Sequence, residues 1–218
     1  MAMSYTPEQI AAVLDYAMLS PEAGNLDIVY GAGSCAEEGI KCFCVSSANV
    51  RTAAIYHPNI ASVIGFPHGN VSPRAKLEEA KFAVGDGAKE LDVVINYGLF
   101  NKGETDIIKV ELERLCTFAH HHDVLVKAIL ETCTMHPGEI ALACQECIRA
   151  EVDYVKTSTG FSHGGATVED VQLMLDVARG TNVKVKASGG IKTYQDVVKY
   201  LDMGCQRLGS SRYLGLLP

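Results

Sequence analysis

Eight apolar runs rich in β-branched residues recur along the chain and alternate with segments of helical periodicity. No linker rich in proline, glycine or serine interrupts this alternation across the 218 residues. Strict alternation of strands and helices is typical of one parallel-sheet domain, here expected to span residues 1–218. Eight such units predict a (β/α)8 barrel, and an open doubly wound sheet is the alternative. The runs are VLDYAML, IKCFCVS, IASVIGF, KELDVVIN, DVLVKAILET, VDYVKTST, NVKVKASG and CQRLGSS.

Several of the helical segments carry their own start and stop signals. Two of them end at a glycine, Gly180 and Gly204. Three begin with residues that can cap a helix: Ser72 before Pro73, Thr167 with Asp170, and Thr193 with Asp196. In a (β/α)8 barrel the chemistry lies at the C-terminal ends of the strands, so polar residues there call for a functional interpretation.

Composition narrows the class of protein. Apolar residues make up 48% of the chain, which is enough for a substantial core. The net charge of -7 is spread among interspersed acids and bases, which disfavours a nucleic-acid partner. The chain has no basic leader and no apolar run long enough for a membrane span, so we expect a cytoplasmic protein. Its 8 cysteines are scattered through apolar patterns, which favours free thiols.

Side-chain parity within the predicted strands places charged residues inside the barrel. Because successive side chains of a strand point to opposite faces, Asp92, Lys156 and Lys186 face the axis from strands four, six and seven. Their neighbours of opposite parity are apolar and suit the layer beneath the outer helices. Lys184 shares the parity of Lys186, and we expect its amine to reach solvent at the bottom of the barrel. Lys127 on strand five has apolar neighbours in both directions, so its orientation stays open.

Two lysines and one aspartate do not balance in charge, and buried charge is costly unless it is paired. A structural ion pair remains the alternative for any one of them.

The excess charge has a chemical use, since a lysine that attacks a carbonyl must be neutral. Lowering its pKa from about 10.4 to near 7 requires roughly 4 to 5 kcal/mol. A second ammonium about 4 Å away supplies about 4 kcal/mol at an effective dielectric near 20, so Lys186 could activate Lys156 without deep burial. Asp92 would then supply or relay protons.

At these residues the sequence resembles the deoxyribose-phosphate aldolase family, which are class I aldolases on a (β/α)8 barrel. The resemblance implies that Lys156 forms the Schiff base, that Lys186 tunes it, and that Asp92 is the acid of a proton relay. It also implies reversible cleavage of 2-deoxy-D-ribose 5-phosphate to acetaldehyde and glyceraldehyde 3-phosphate, with no metal and no cofactor, and a homodimer is plausible. The matching blocks are VIGFPHG (63–69), EEAKFAVGDGAKELDVVIN (78–96), VKAILET (126–132), DYVKTSTGF (153–161), VKASGGIKT (185–193) and RLGSS (207–211).

A phosphate site is expected where the last strands end. The segment SSRYLGLL, after strand eight, is predicted to open a short helix whose N–H groups face the anion. Glycines after strands are also common turn residues, so each of them has a plain structural alternative. The expected site residues are Thr159 and Gly160 after strand six, Gly189 and Gly190 after strand seven, and Gly209, Ser210 and Ser211 after strand eight.

The sequence departs from the family pattern at two places near the expected substrate. Within strand one the family usually has Asp-His-Thr, whereas here Asp15 is followed by Tyr16 and Ala17, which removes a hydroxyl. After RLGSS the family continues with small residues, whereas here Arg212 follows. Two interpretations of Arg212 stay open: it adds a charged fork to the phosphate, or it fills part of the site for a different anionic group.

Cys44, at the end of strand two, either lines the substrate pocket or packs in the core.

Two further motifs have structural explanations, and three other functions are compatible with a barrel of this kind. CQEC (144–147) resembles half of a zinc site, but no second half follows, so core cysteines are expected. HHHD (120–123) precedes strand five and is expected to be a solvated helix end.

A phosphosugar isomerase would use the same barrel but a carboxylate base instead of paired lysines. An aldolase acting on another phosphorylated or anionic substrate and a phosphometabolite-binding homologue without activity are the remaining alternatives.

Overall fold

Eight parallel strands pair in chain order, and β8 pairs with β1, so the sheet closes into a barrel. The computed structural model describes residues 5–213 and residue 216. The (β/α)8 prediction is therefore confirmed, and the open sheet is excluded. The strands are β1 Leu14–Met18, β2 Cys42–Ser46, β3 Ile60–Ile64, β4 Glu90–Val94, β5 Leu125–Ile129, β6 Tyr154–Lys156, β7 Lys184–Ser188 and β8 Arg207–Ser210.

Helices surround the barrel on its outside. Three long ones begin where the capping signals predict, because the side chains of Ser72, Thr167 and Thr193 accept backbone N–H bonds at the helix N-termini. The last helix ends at Gly204, which has a left-handed backbone with φ 106°. The helices in the described residues are α1 Pro7–Ala11, α2 Asn25–Glu37, α3 Val50–Ala53, α4 Pro73–Gly85, α5 Tyr97–Phe100, α6 Thr105–His121, α7 Pro137–Arg149, α8 Val168–Ala178 and α9 Tyr194–Met203.

The main core lies between the barrel and the helices. Strand residues of one parity, such as Leu91, Val93 and Val155, are buried there beneath the helices, as the alternation predicts. Cys144 and Cys147 of α7 belong to the same core, and all eight cysteines are free thiols. The HHHD segment is exposed at the end of α6, before β5. None of the helices among the described residues is long and apolar enough to cross a membrane.

Candidate active site

Two lysines and one aspartate meet inside the barrel, as parity predicts. Lys156 is the last residue of β6 and pairs in register with Lys186 of β7. The amine of Lys156 donates to Asp92 Oδ2 at 2.7 Å, and the amine of Lys186 donates to the same oxygen at 2.8 Å. All three side chains are buried. One carboxylate oxygen therefore holds two amines side by side.

Further charges extend this cluster toward the bottom of the barrel. Lys127 of β5 also points inward and donates to Asp92 Oδ1 at 2.6 Å, which settles its orientation. Asp15 of β1 accepts from Lys186 and, at 2.6 Å, from Arg207 of β8. Arg207 also donates to Glu90, at 3.0 Å. Sequence reasoning missed Glu90 and Arg207, although the parity of Glu90, two residues before Asp92, was a usable signal.

The charge balance of this network favours a neutral amine at Lys156. The connected groups comprise three carboxylates and four cationic groups: Asp15, Glu90 and Asp92 against Lys127, Lys156, Lys186 and Arg207. Because uncompensated buried charge is costly, loss of one proton brings the network to neutrality. Lys156 lines the substrate cavity described below, where a proton can leave it.

The pKa of each amine shows which one gives up its proton. Burial lowers the pKa of Lys156; the Asp92 carboxylate opposes this effect, and the charge of Lys186 reinforces it. Burial would lower the pKa of Lys186 too, but Asp15 and Asp92 outweigh it and raise the pKa. The prediction that Lys186 would activate Lys156 without deep burial is therefore wrong about the leading cause. Parity shows that a side chain points inward, and it does not show how completely its neighbours exclude water.

The carboxylates of the network stay ionised. Burial alone would raise the pKa of Asp92, but the nearby lysines hold it well below its usual range. Lys186, Lys127 and Arg207 likewise overcome the effect of burial on Asp15 and lower its pKa to about 2. Asp92 is thus a carboxylate bridge between ammonium groups, and it does not itself hold a proton at neutral pH.

Two carboxylates of the network and a neighbouring cysteine could ligate a metal by geometry alone. A ligand atom of each of Asp15, Cys42 and Glu90 lies within 4.8 Å of the others, and all three residues are buried. However, both carboxylates are already paired with cations, among them Arg207, which bridges them. Burial is the first cause that raises the pKa of Cys42 well above its usual value, which opposes the thiolate that a metal requires. These residues therefore do not fit a metal centre.

A cavity of about 710 Å³ opens at the C-terminal ends of the strands, above Lys156. Ala17 also lines the cavity, so the hydroxyl that the family carries at this position is missing from the cavity wall. Asp92 is absent from the lining because it lies beneath the two lysines. The predicted site residues that line the cavity are Asp15, Cys44, Lys156, Thr159, Gly160, Lys186, Gly189, Gly190, Gly209, Ser210 and Ser211.

Arg212 does not line this cavity. Its side chain is exposed and lines a neighbouring groove together with Tyr16 and Lys192. Its backbone N–H donates to Ser210 Oγ at 3.1 Å. The contact predicted between the Arg212 guanidinium and a phosphate is therefore not supported by the position of this side chain. Ser211 to Tyr213 are not helical, and the rest of the helix predicted for SSRYLGLL falls almost entirely outside the described residues.

Near the C-terminal ends of β7 and β8, the loops that line the cavity lie close against one another. Gly189 and Gly190 both have positive φ, 83° and 79°, which suits glycine. Ser210 Oγ donates to Ile191 O at 2.8 Å, so this hydroxyl holds the loop after β7. A Cβ at Gly165 would lie 2.3 Å from Gly189 O, which is too close for any side chain. The loops after β6, β7 and β8 therefore form one fixed rim.

Glu131 was not predicted, and it fixes the loop that follows Lys156. It comes directly after β5 and Leu130, is buried, and has a left-handed backbone with φ 60°. Its carboxylate accepts bonds from the Thr159 hydroxyl and from the Thr159 N–H. Thr159 is thus hydrogen-bonded to Glu131 and also lines the cavity. A charged residue at the C-terminal end of an apolar strand was the available signal.

Gly209→Ala is expected to lower kcat/KM at least about tenfold, since small displacements of a reacting group are costly. The added Cβ would lie 3.1 Å from Lys186 Cε and 3.0 Å from Ser188 Cβ, so the lysine must shift. Gly33→Ala in α2 is the control, because its Cβ would meet nothing within 4 Å. Steady-state kinetics of both variants measure the effect. Equal activity in the two variants would contradict this role for Gly209.

Comparisons with known proteins agree with this geometry. Residues 18–216 match the model of the DeoC/LacD family aldolases. A deoxyribose-phosphate aldolase of Thermococcus gammatolerans is 40% identical over 208 residues, covering 93% of this chain and 92% of the relative. A deoxyribose-phosphate aldolase of Clostridium kluyveri is 37% identical over 214 residues, covering 96% and 97%.

Solved structures give the same result. A putative deoxyribose-phosphate aldolase from Coccidioides immitis superposes with a TM-score of 0.91 at 35% identity, covering 97% of this chain and 85% of that one. A deoxyribose phosphate aldolase from Aeropyrum pernix, described as a unique tetramer, superposes with a TM-score of 0.90 at 29% identity. It covers 97% of this chain and 90% of that one.

Proposed function

The chain belongs to the DeoC/LacD family of aldolases, and on that premise we propose that it cleaves 2-deoxy-D-ribose 5-phosphate reversibly through a Schiff base on Lys156. The observation that carries this proposal is the buried amine of Lys156, held beside Lys186 on one oxygen of Asp92 at the floor of the cavity. A non-catalytic binder needs no neutral lysine in that position. The reaction is that of an aldehyde-lyase.

The neutral amine of Lys156 attacks C1 of the open-chain sugar. The carbinolamine hydroxyl then gains a proton and leaves as water, which leaves an iminium ion as the electron sink. The C2–C3 bond breaks, its electron pair moves toward the iminium nitrogen, and the C3 hydroxyl loses its proton to solvent water. Glyceraldehyde 3-phosphate leaves, and an enamine remains on Lys156. Protonation of the enamine carbon and hydrolysis of the new iminium ion release acetaldehyde and restore the amine.

Lys186 is the group that we assign to proton transfer. It lines the cavity, and its raised pKa keeps it protonated, so it can deliver a proton to the enamine carbon. Asp15 and Asp92 hold its ammonium group in place. This assignment gives Asp92 a place in the relay as an acceptor of hydrogen bonds, whereas the sequence-based prediction made it the acid.

The rim formed by the β6, β7 and β8 loops is the proposed site for the phosphate. Gly160, Gly189 and Gly190 line it from two loops, and Ser211 lines it from the end of β8. Backbone N–H groups at such glycine-rich turns bind anions without any cationic side chain. Lys192 also lines the cavity and adds a positive charge.

Product analysis tests the proposal. Purified protein is incubated with 2-deoxy-D-ribose 5-phosphate and the mixture is followed by proton NMR. We expect equal amounts of acetaldehyde and glyceraldehyde 3-phosphate, and condensation when both aldehydes are supplied. Because 2-deoxy-D-ribose 5-phosphate has no C2 hydroxyl and cannot become a ketose, a parallel sample contains D-ribose 5-phosphate, where a ketose phosphate would instead indicate an isomerase. An unchanged deoxy sugar without a ketose product would indicate a binding protein or a different substrate. Either result would overturn the proposed reaction.

The number of subunits stays a prediction as well. A homodimer is expected from the family resemblance, and the Aeropyrum pernix relative is described as a tetramer. Sedimentation equilibrium of the purified chain distinguishes one, two and four copies.

A further inference from the structure

A buried ion pair lies below the catalytic lysines, where substrate does not reach. Arg207 of β8 donates to Glu90 of β4 at 3.0 Å, and both side chains are buried. Asn59 also donates to Glu90, at 2.8 Å, and the Arg207 guanidinium lies 5.6 Å from the centre of the Tyr154 ring. Neither residue of the pair lines the cavity. Their position is thus fixed from several strands without any contact to the reacting atoms.

We infer that Arg207 and Glu90 are positioning residues that set the protonation state of Lys156 through the charge network between them. This inference rests on the proposed function, because it concerns the same lysine. The connection is continuous: Arg207 binds Asp15, Asp15 binds Lys186, and Lys186 shares Asp92 Oδ2 with Lys156. Glu90 is joined to the same network through Lys127, which binds Asp92.

The two charges of the pair act on Lys156 in opposite directions. Without the charge of Arg207, three carboxylates remain against three lysines. The network is then neutral only when Lys156 is protonated, which favours the protonated amine. Without the charge of Glu90 it retains an extra positive charge, which favours the neutral amine. The titratable and charged groups buried inside the barrel with Lys156 are Asp15 of β1, Cys42 and Cys44 of β2, Glu90 and Asp92 of β4, Lys127 of β5, Tyr154 of β6, Lys186 of β7 and Arg207 of β8. Of these, Asp92, Lys186 and Cys44 act directly on the pKa of Lys156.

The expected size of each effect follows from Coulomb's law. A unit charge roughly 10 Å away, in a medium of effective dielectric about 20, changes a pKa by about one unit. A residue that only stabilises the barrel would lower activity at every pH and would leave the midpoint of the pH profile in place. The direction of the shift therefore separates a tuning role from a structural one.

The experiment uses four variants of the full chain. Arg207→Met removes the positive charge, Glu90→Gln removes the negative charge, and the double variant removes both. Arg207→Lys keeps the charge and serves as the conservative control. For each protein, imine formation with 2-deoxy-D-ribose 5-phosphate is stopped with borohydride at short times across a range of pH, and the label on the Lys156 peptide is quantified by mass spectrometry.

The midpoint of imine formation is expected to move up by about one pH unit in Arg207→Met and down by about one unit in Glu90→Gln. The double variant and Arg207→Lys should return close to the wild type. Shifts in the same direction, or no shift in Glu90→Gln, would overturn the inference. If Arg207→Met does not fold, Glu90→Gln and Arg207→Lys still decide the question. Absence of label in the wild type would instead refute the proposed function.

Discussion

Lys156→Ala is expected to lower kcat/KM for 2-deoxy-D-ribose 5-phosphate by at least about 10⁴-fold, as loss of a covalent nucleophile does in other enzymes. No other amine in the described network can replace it. Lys186 also lines the cavity, but Asp15 and Asp92 keep it charged, and a charged amine cannot attack a carbonyl.

The variant should not lose stability. The pKa of Lys156 in the folded protein lies below its ordinary value, so protonation favours the unfolded chain and stability rises with pH. Removal of this amine therefore removes a cost at neutral pH. Urea unfolding at pH 7 should give a midpoint at or above that of the wild type, so a loss of activity is not a loss of folding.

Lys184→Ala is the matched control for this experiment. Lys184 begins β7, two residues before Lys186, and has the same parity, but it is exposed at the bottom of the barrel. Its amine lies 5.7 Å from the centre of the Tyr154 ring. Its exposure agrees with the sequence-based prediction of an amine that reaches solvent. Activity within about twofold of the wild type is expected, since exposed substitutions have small effects. Comparable losses in both variants would contradict the role of Lys156.

Asp92→Asn should have the largest effect on stability, about 3 to 5 kcal/mol, the usual cost of removing one partner of a buried ion pair. Asp92 accepts bonds from three buried amines, those of Lys127, Lys156 and Lys186, of which Lys127 and Lys186 are charged. An amide leaves their charges without compensation. Activity should fall as well, because the two lysines that face the cavity lose the oxygen that places them side by side.

The pH dependence of stability should lie in different pH ranges in the two proteins, at acid pH in the wild type and at alkaline pH in Asp92→Asn. In the wild type the pKa of Asp92 is depressed, so its contribution to stability is complete above the unfolded pKa of about 3.9 and is lost as the pH falls below it. In Asp92→Asn the buried lysines are destabilising while charged. Part of the lost stability should therefore return as the pH rises toward 10 and these amines lose their protons.

Urea unfolding at several pH values measures this difference, and Asp86→Asn is the control. Asp86 pairs with Arg51 at 2.7 Å in an ion pair whose arginine is 80% exposed. Exposed pairs of this kind contribute at most about 1 kcal/mol. If Asp92→Asn were no less stable than Asp86→Asn, the buried network would not be a stabilising unit.

Strand parity was sufficient to find the three residues at the centre of the site. The alternation of Leu91, Asp92 and Val93 shows the direction of each side chain, and the order of strands in a barrel brings strands four, six and seven around one axis. Helix boundaries followed from caps such as Ser72. These features depend on local sequence, which explains why they could be predicted.

The deeper charges could not be placed without the register between strands. Glu90 and Arg207 begin their strands, and their pairing depends on how β8 closes against β1 and β7. Lys127 was ambiguous for the same reason, and its register with Asp92 in β4 resolves it. Arg212 illustrates a different difficulty: it follows a strand, and outside a strand the period of two no longer fixes the direction of a side chain.

Borohydride trapping is the most direct test of the central claim, that Lys156 is the Schiff-base lysine. The protein is mixed with 2-deoxy-D-ribose 5-phosphate, reduced with sodium borohydride, digested and mapped by mass spectrometry. The account predicts a reduced adduct on the peptide that contains Lys156, and no adduct in Lys156→Ala. No adduct in the wild type, or an adduct on Lys186 instead, would contradict it.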